Sequence, residues 1–107
     1  MKINEWRNRI DEVDKQLVRL LSVRAQLAIE IGREKKEKGV EIYDAAREQD
    51  VLTQALRENP GVLSEEALEQ LFREIVRVSR QAAAEATTVP GTTSGADANA
   101  PGKEERQ

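Results

Sequence analysis

The chain has 107 residues, no Cys, no His, a formal net charge of −3 and 35% charged residues. Without Cys and His the chain has no thiolate nucleophile, no disulfide and none of the usual zinc ligands, so we expect no metal. The absence of His also removes the most common general base. The slightly acidic balance, with acids and bases interleaved, argues against nucleic acid, and the lack of a long apolar run or secretory signal predicts a cytoplasmic protein without a membrane span.

The first predicted element is one long helix with Asn4 as its N-cap and Gly39 as its stop signal. Apolar residues recur along it at alternating spacings of three and four, and they are Ile3, Trp6, Ile10, Val13, Leu17, Leu20, Leu27 and Ile31. This heptad seam predicts a helix of about 35 residues and about 50 Å. Because the chain has one Trp, one Tyr and one Phe, its own core is thin and a second chain is the expected partner.

Two shorter helices are predicted to follow. Asp44 is the expected N-cap of the second helix, which ends at Asn59-Pro60-Gly61 and has Val51, Leu52, Ala55 and Leu56 on its inner face. Ser64 is the expected N-cap of the third, whose inward stripe is Leu68, Leu71, Phe72, Ile75, Val76, Ser79, Ala82 and Ala83. With no strand pattern, the sequence predicts an all-α domain over residues 1–86 and a disordered tail of Thr, Gly, Ala, Pro and charge over residues 87–107.

Polar residues interrupt the apolar face of each predicted helix. Arg24 occupies a position of the heptad seam, and Arg7 and Lys35 occupy the position beside it. Glu48 lies on the inner face of the second helix and Ser79 on that of the third. Each has an ordinary explanation alone, such as a snorkelling stem, a rim salt bridge or a hydroxyl bonded to its own helix. Together, cations that outnumber one glutamate predict a small anionic ligand, because unpaired buried charge is costly.

Distances along the first helix set a further constraint. Arg7 lies about 25 Å from Arg24 and about 42 Å from Lys35 at 1.5 Å per residue, so one small ligand cannot contact all three in one chain. If two such helices cross antiparallel about a two-fold axis near residue 18, Arg7 of one chain reaches residues 24–35 of the other. The sequence thus predicts an intertwined homodimer with two equivalent sites.

Taken in chain order, these segments resemble the bacterial all-helical (AroQ-type) chorismate mutases. The resemblance covers about residues 3 to 83 and rests on Arg7, IDEVDKQLVRLLSVR ending at Arg24, LAIEIGREKK with Lys35, IYDAAREQDVL with Asp44, Arg47 and Glu48, and LFREIVRVSR with Ser79. It implies an intertwined dimer of three-helix chains that converts chorismate to prephenate, on the route to phenylalanine and tyrosine. This pericyclic step needs no nucleophile, base or cofactor.

The resemblance also implies a role for each polar residue. Arg24 and Arg7 of the partner subunit would bind the two carboxylates of chorismate, assisted by Ser79. Lys35 would contact the ether oxygen and a carboxylate. Glu48 and the backbone of Asp44 would hold the ring hydroxyl. Arg47 would shape the pocket and neutralise nearby acid.

The chain departs from the family at Ala83. Members usually carry Gln or Glu at this position, as a second hydrogen-bond donor to the ether oxygen. Gln81 comes two residues early and about 200° around the helix, so it should face elsewhere. Losing such a donor costs about 10²–10³ in rate, which predicts a slow mutase, a pocket where water or a shifted helix substitutes, or activation by a partner protein.

Three other functions remain open. An isochorismate pyruvate lyase resembles the same fold and cation set, although the segment from Asp44 to Glu48 matches the mutases better. A non-catalytic or regulatory helical dimer could have lost its chemistry at Ala83. A plain coiled-coil scaffold explains the seam, but it does not explain Arg24 and Ser79 together with Glu48.

Overall fold

The computed structural model describes residues 2–88, which form three helices and no strand: α1 (Ile3–Glu37), α2 (Ala45–Arg57) and α3 (Glu65–Thr87). The predicted all-α chain of three helices is therefore confirmed. Thr87, the first residue of the predicted tail, ends α3, and the tail from residue 89 onward lies outside the described residues. Within residues 2–88 no helix has the length and apolar character needed to cross a membrane.

The long helix α1 has 35 residues, as its heptad pattern predicts. The N-cap prediction for Asn4 is wrong, because the helix starts at Ile3 and Lys2 is the cap. The Glu5 carboxylate accepts a hydrogen bond of 2.9 Å from the backbone N–H of Lys2, which closes the first turn from inside the helix. At the other end Gly39 has a φ of 70°, and the predicted stop is confirmed.

Both shorter helices begin at the predicted caps. The Asp44 carboxylate accepts a hydrogen bond of 3.0 Å from the Arg47 N–H, and the Ser64 hydroxyl accepts one of 3.1 Å from the N–H three residues later. Helix α2 ends at Arg57, just before the predicted Asn-Pro-Gly breaker. These side chains satisfy N–H groups that a helix start leaves unpaired.

Helix α3 forms the centre of the chain, since it packs against both α1 and α2. The buried apolar side chains are Leu52, Leu68, Val76 and Ala83. Helices α1 and α3 approach each other closely at Gly32, where an added Cβ would lie 3.2 Å from the Cβ of Ala83. The missing side chain at Gly32 therefore lets the two helices touch beside the most buried part of the predicted inward stripe.

The apolar seam of α1 is not covered by the rest of this chain. Its eight predicted residues are between 49% and 67% exposed, so neither α2 nor α3 covers them. Continuous apolar surface of this kind is typical of an interface.

Candidate active site

A cleft of about 310 Å³ lies where α1, the start of α2 and α3 meet. It is lined by seven of the eight side chains that the sequence singles out, namely Arg24, Lys35, Asp44, Arg47, Glu48, Ser79 and Ala83. They come from all three helices and lie up to 59 positions apart in the sequence. The fold thus gathers in one place residues that were selected separately by their positions on helix faces.

The cations of α1 stand along one wall of this cleft. Arg24 and Lys35 are both half-buried and lie three turns apart, about 16 Å along the helix. The Lys35 ammonium donates a hydrogen bond of 3.1 Å to the backbone carbonyl of Ile42, in the connection between α1 and α2. Within residues 2–88, no carboxylate lies within 4.0 Å of Arg24, Lys35 or Arg47.

The two carboxylates of the cleft are already engaged. Asp44 caps α2 with its side chain. Both carboxylate oxygens of Glu48 lie 3.3 Å from the Nη1 atom of Arg80, on α3. The charged side chains that line the cleft are Arg24, Lys35, Arg47, Arg80, Asp44 and Glu48. Four positive groups thus face two negative ones, and a doubly negative ligand would balance the charge.

Ser79 and Ala83 lie one helical turn apart on α3 and form the floor of the cleft. Ser79 is 5% exposed, and none of the side-chain hydrogen bonds within residues 2–88 involves its hydroxyl. It therefore differs from Ser22, whose hydroxyl donates to the carbonyl of Val18 on its own helix. A buried hydroxyl that faces a cavity is available to a ligand.

Ala83 is 1% exposed and places only a methyl group at the cleft. Gln81 lies on the outer face of α3, where its side chain bonds to Arg77 and Glu85 of the same helix at 3.0 and 3.1 Å. The expectation that Gln81 faces away from the inward stripe is confirmed. The described side chains therefore offer no glutamine donor at this end of the cleft.

Arg80 is the functional candidate that the sequence analysis missed. Its guanidinium carbon lies 4.6 Å from the centre of the Tyr43 ring, and its side chain lines the cleft beside Ser79. The signal was present, because Val76, Arg80 and Ala83 follow the same helical spacing as the inward stripe. The predicted stripe contains the apolar members and Ser79, but it does not contain the arginine at the same spacing.

Arg7 is the one predicted residue that does not line the cleft. It is exposed on α1, 17 residues and about 25 Å before Arg24. A second cleft, of about 620 Å³, opens on the other side of Arg24 and Arg47 and is lined mainly by α2, the connection after it and the start of α3. The contribution of Arg7 to a site of another chain stays a prediction.

Two curated proteins are similar to this chain in sequence. The chain is 37% identical over 79 residues to the bifunctional chorismate mutase/prephenate dehydratase of Aquifex aeolicus (strain VF5), covering 70% of this chain and 22% of that protein. It is 43% identical over 70 residues to the protein of the same name from Neisseria gonorrhoeae (strain ATCC 700825 / FA 1090), covering 65% of this chain and 19% of that protein. The chain thus spans about a fifth of the length of these curated relatives.

Two solved structures are similar over most of the fold, and both are of chorismate mutase from Thermus thermophilus. Form II has a TM-score of 0.73 and 38% identity, covering 76% of this chain and 92% of that one. Form I has a TM-score of 0.72 and 39% identity, covering 74% of this chain and 99% of that one. The family described as "Chorismate mutase type II" matches residues 6–83, a range that contains every residue of the cleft. The chain belongs to the type II chorismate mutase family.

Proposed function

We propose that this chain is a chorismate mutase that converts chorismate to prephenate. The observation that carries the proposal is the cleft itself, in which four cationic side chains face two carboxylates that are already engaged. Chorismate presents two carboxylates, an ether oxygen and a ring hydroxyl. Its double negative charge matches the excess of positive charge in the cleft.

The reaction breaks the carbon–oxygen bond of the ether while a carbon–carbon bond forms at the other end of the side chain. No proton or electron enters or leaves, so the protein has to hold the compact conformer and stabilise the negative charge that develops on the ether oxygen. The Lys35 ammonium is the group proposed for that oxygen. Its hydrogen bond to Ile42 fixes its direction before a ligand arrives.

The other proposed contacts join cations of the protein to the carboxylates of chorismate, and Glu48 to its ring hydroxyl. Arg24 with Ser79, and Arg7 of the partner subunit, are proposed to bind the carboxylates of chorismate. Glu48 is proposed to accept a hydrogen bond from the ring hydroxyl, and the backbone of Asp44 is proposed to hold the same group. Arg47 lines the edge of the cleft and adds to its positive charge.

The proposal includes an intertwined homodimer, with the seam of α1 as its interface. Support comes from the exposed seam, the small core of a single chain and the open second cleft beside Arg24. Crossed α1 helices would cover the seam and bring Arg7 of each chain to the cleft of the other. The proposal keeps the cytoplasmic location and the lack of a cofactor that the sequence predicts.

Ala83 makes this mutase unusual within the proposal. With a methyl group where the family usually has Gln or Glu, one donor to the ether oxygen is lost. We therefore expect slow turnover, unless a water molecule, a shift of α3 or an activating partner protein supplies the missing donor.

The deciding experiment follows chorismate disappearance with the purified chain. Turnover above the uncatalysed rate is expected, and Arg24→Ala should lower kcat/KM by about 10- to 100-fold, since it removes a charged hydrogen-bond partner. The matched control is Arg73→Ala, an arginine that pairs with Glu69 on the exposed face of α3. Pyruvate release from isochorismate without turnover of chorismate would show a lyase instead. Turnover of neither compound would favour the non-catalytic dimer.

A further inference from the structure

The ion pair between Arg80 and Glu48 is different from the others within residues 2–88. The other five each join residues three or four positions apart on one helix or its cap. The pair of Arg80 and Glu48 connects α3 to α2 across 32 positions, and its side chains are only 32% and 25% exposed. Water screens this pair less than it screens the exposed pairs, so the attraction between its two charges is stronger.

We propose that Arg80 is a positioning residue, which holds the Glu48 carboxylate in the direction that receives the ring hydroxyl of the substrate. This inference rests on the proposed mutase function and assigns a role to a residue outside the eight singled out by sequence. Arg80 acts through Glu48 and does not contact the reacting atoms.

The geometry of the pair supports this role. Nη1 of Arg80 is equally far, 3.3 Å, from both oxygens of Glu48, so it lies on the open edge of the carboxylate. An ionised carboxylate accepts about four hydrogen bonds, which leaves acceptor positions free for a hydroxyl donor. The ring of Tyr43, 4.6 Å from the guanidinium carbon, supports Arg80.

The charge balance of the cleft gives the physical reason. Arg24, Lys35 and Arg47 have no carboxylate partner within residues 2–88, and Glu48 is the carboxylate of the cleft that does not cap a helix. Without Arg80, Glu48 would be drawn towards those cations and would neutralise the charge that the substrate needs. Arg80 keeps Glu48 available as the acceptor for the ring hydroxyl and leaves the three cations available for the substrate carboxylates.

The test is a double-mutant cycle on the full chain with chorismate as substrate. Arg80→Met should lower kcat/KM by about 10- to 100-fold, because a misplaced positioning group disturbs the reactive geometry. In the Glu48→Gln background the same substitution should change kcat/KM by less than about twofold. Arg80→Lys, which keeps the charge, should recover part of the loss, and Arg73→Met is the matched control on the exposed face.

A second substrate separates positioning from packing. With an analogue of chorismate that has hydrogen in place of the ring hydroxyl, Arg80→Met should have almost no effect, since the group that Glu48 receives is missing. If Arg80→Met does not fold, as judged by circular dichroism, Arg80→Lys and Arg80→Gln carry the same comparison.

The outcomes separate the two proposals. Equal losses from Arg80→Met with and without Glu48, or with both substrates, would overturn the positioning role while leaving the mutase function in place. Lower thermal stability with unchanged kinetics would also overturn it, because the pair would then only join α2 to α3. No turnover in the unsubstituted chain would overturn the mutase function and this inference with it.

Discussion

The most informative substitution is Ala83→Gln, which adds the hydrogen-bond donor that the family usually has at this position. Ala83 is 1% exposed at the floor of the cleft, and its Cβ already packs against Gly32, so a longer side chain has to extend into the 310 Å³ of the cleft. From there its amide can approach the same ether oxygen that Lys35 is proposed to contact.

The expected gain follows from two opposing terms. A preorganised donor to developing negative charge contributes about 3–4 kcal/mol, and fixing a flexible glutamine side chain costs about 2 kcal/mol. The net stabilisation of the transition state is about 1–2 kcal/mol, which corresponds to an increase in kcat of about 5- to 30-fold.

The assay is chorismate disappearance with Ala83→Gln, with Ala83→Leu as a matched control that adds bulk without a donor. Ala84→Gln, on an exposed position next to it, tests whether a glutamine anywhere on this turn has an effect. If Ala83→Gln is no faster than the unsubstituted chain, while thermal unfolding shows it intact, the assigned role of position 83 is wrong.

Three further predictions test the dimer, a helix cap and the contact between α1 and α3 at Gly32. Mixing Arg7→Ala chains with Arg24→Ala chains should restore activity in about a quarter of the sites, because a mixed dimer has one site with both arginines and one with neither. Ser64→Ala removes the cap of α3 and should cost about 1 kcal/mol, seen as a fall in Tm of about 4–8 °C. Gly32→Ala should lower the free energy of unfolding by up to about 2 kcal/mol, since overpacking against Ala83 costs about 1–3 kcal/mol and the better helix propensity of alanine returns about 1.

Each of these has its own control and contrary outcome. Mixed chains that stay as inactive as the separate variants would show that Arg7 does not cross between subunits. Ser22→Ala is the matched serine control for the cap, because the Ser22 hydroxyl bonds to a carbonyl inside α1 and caps nothing. A higher Tm for Gly32→Ala with unchanged turnover would mean that α1 and α3 separate at no cost.

The helices were predictable because their signals are local. The heptad spacing indicated the length of α1, and Asp44 and Ser64 marked the starts of α2 and α3 through bonds to N–H groups three residues away. The start of α1 was placed wrongly at Asn4 because two local devices competed. The hydrogen bond from the Lys2 N–H to Glu5 outweighed a cap by asparagine.

The cleft was predictable only in part. Arg24, Lys35 and Ser79 stood out as polar residues on apolar faces, and the fold brings them together. The spacing of Arg80 with the inward stripe was readable in the sequence, but its pairing with Glu48 was not, because the packing of α2 against α3 is not encoded in any short stretch. The role of Arg7 depends on a second chain, so neither periodicity nor the fold of one chain decides it.

Among the three described helices, α3 is the one that packs against both others, and the cationic wall of α1 meets Glu48 of α2 only through it. Any motion that loosens α3 therefore dismantles the cleft while the hydrogen bonds inside α1 and α2 remain. Binding should consequently fade on heating or in denaturant before the far-ultraviolet signal of helix does. Ligand affinity is then a more sensitive gauge of how the helices dock than helical content is.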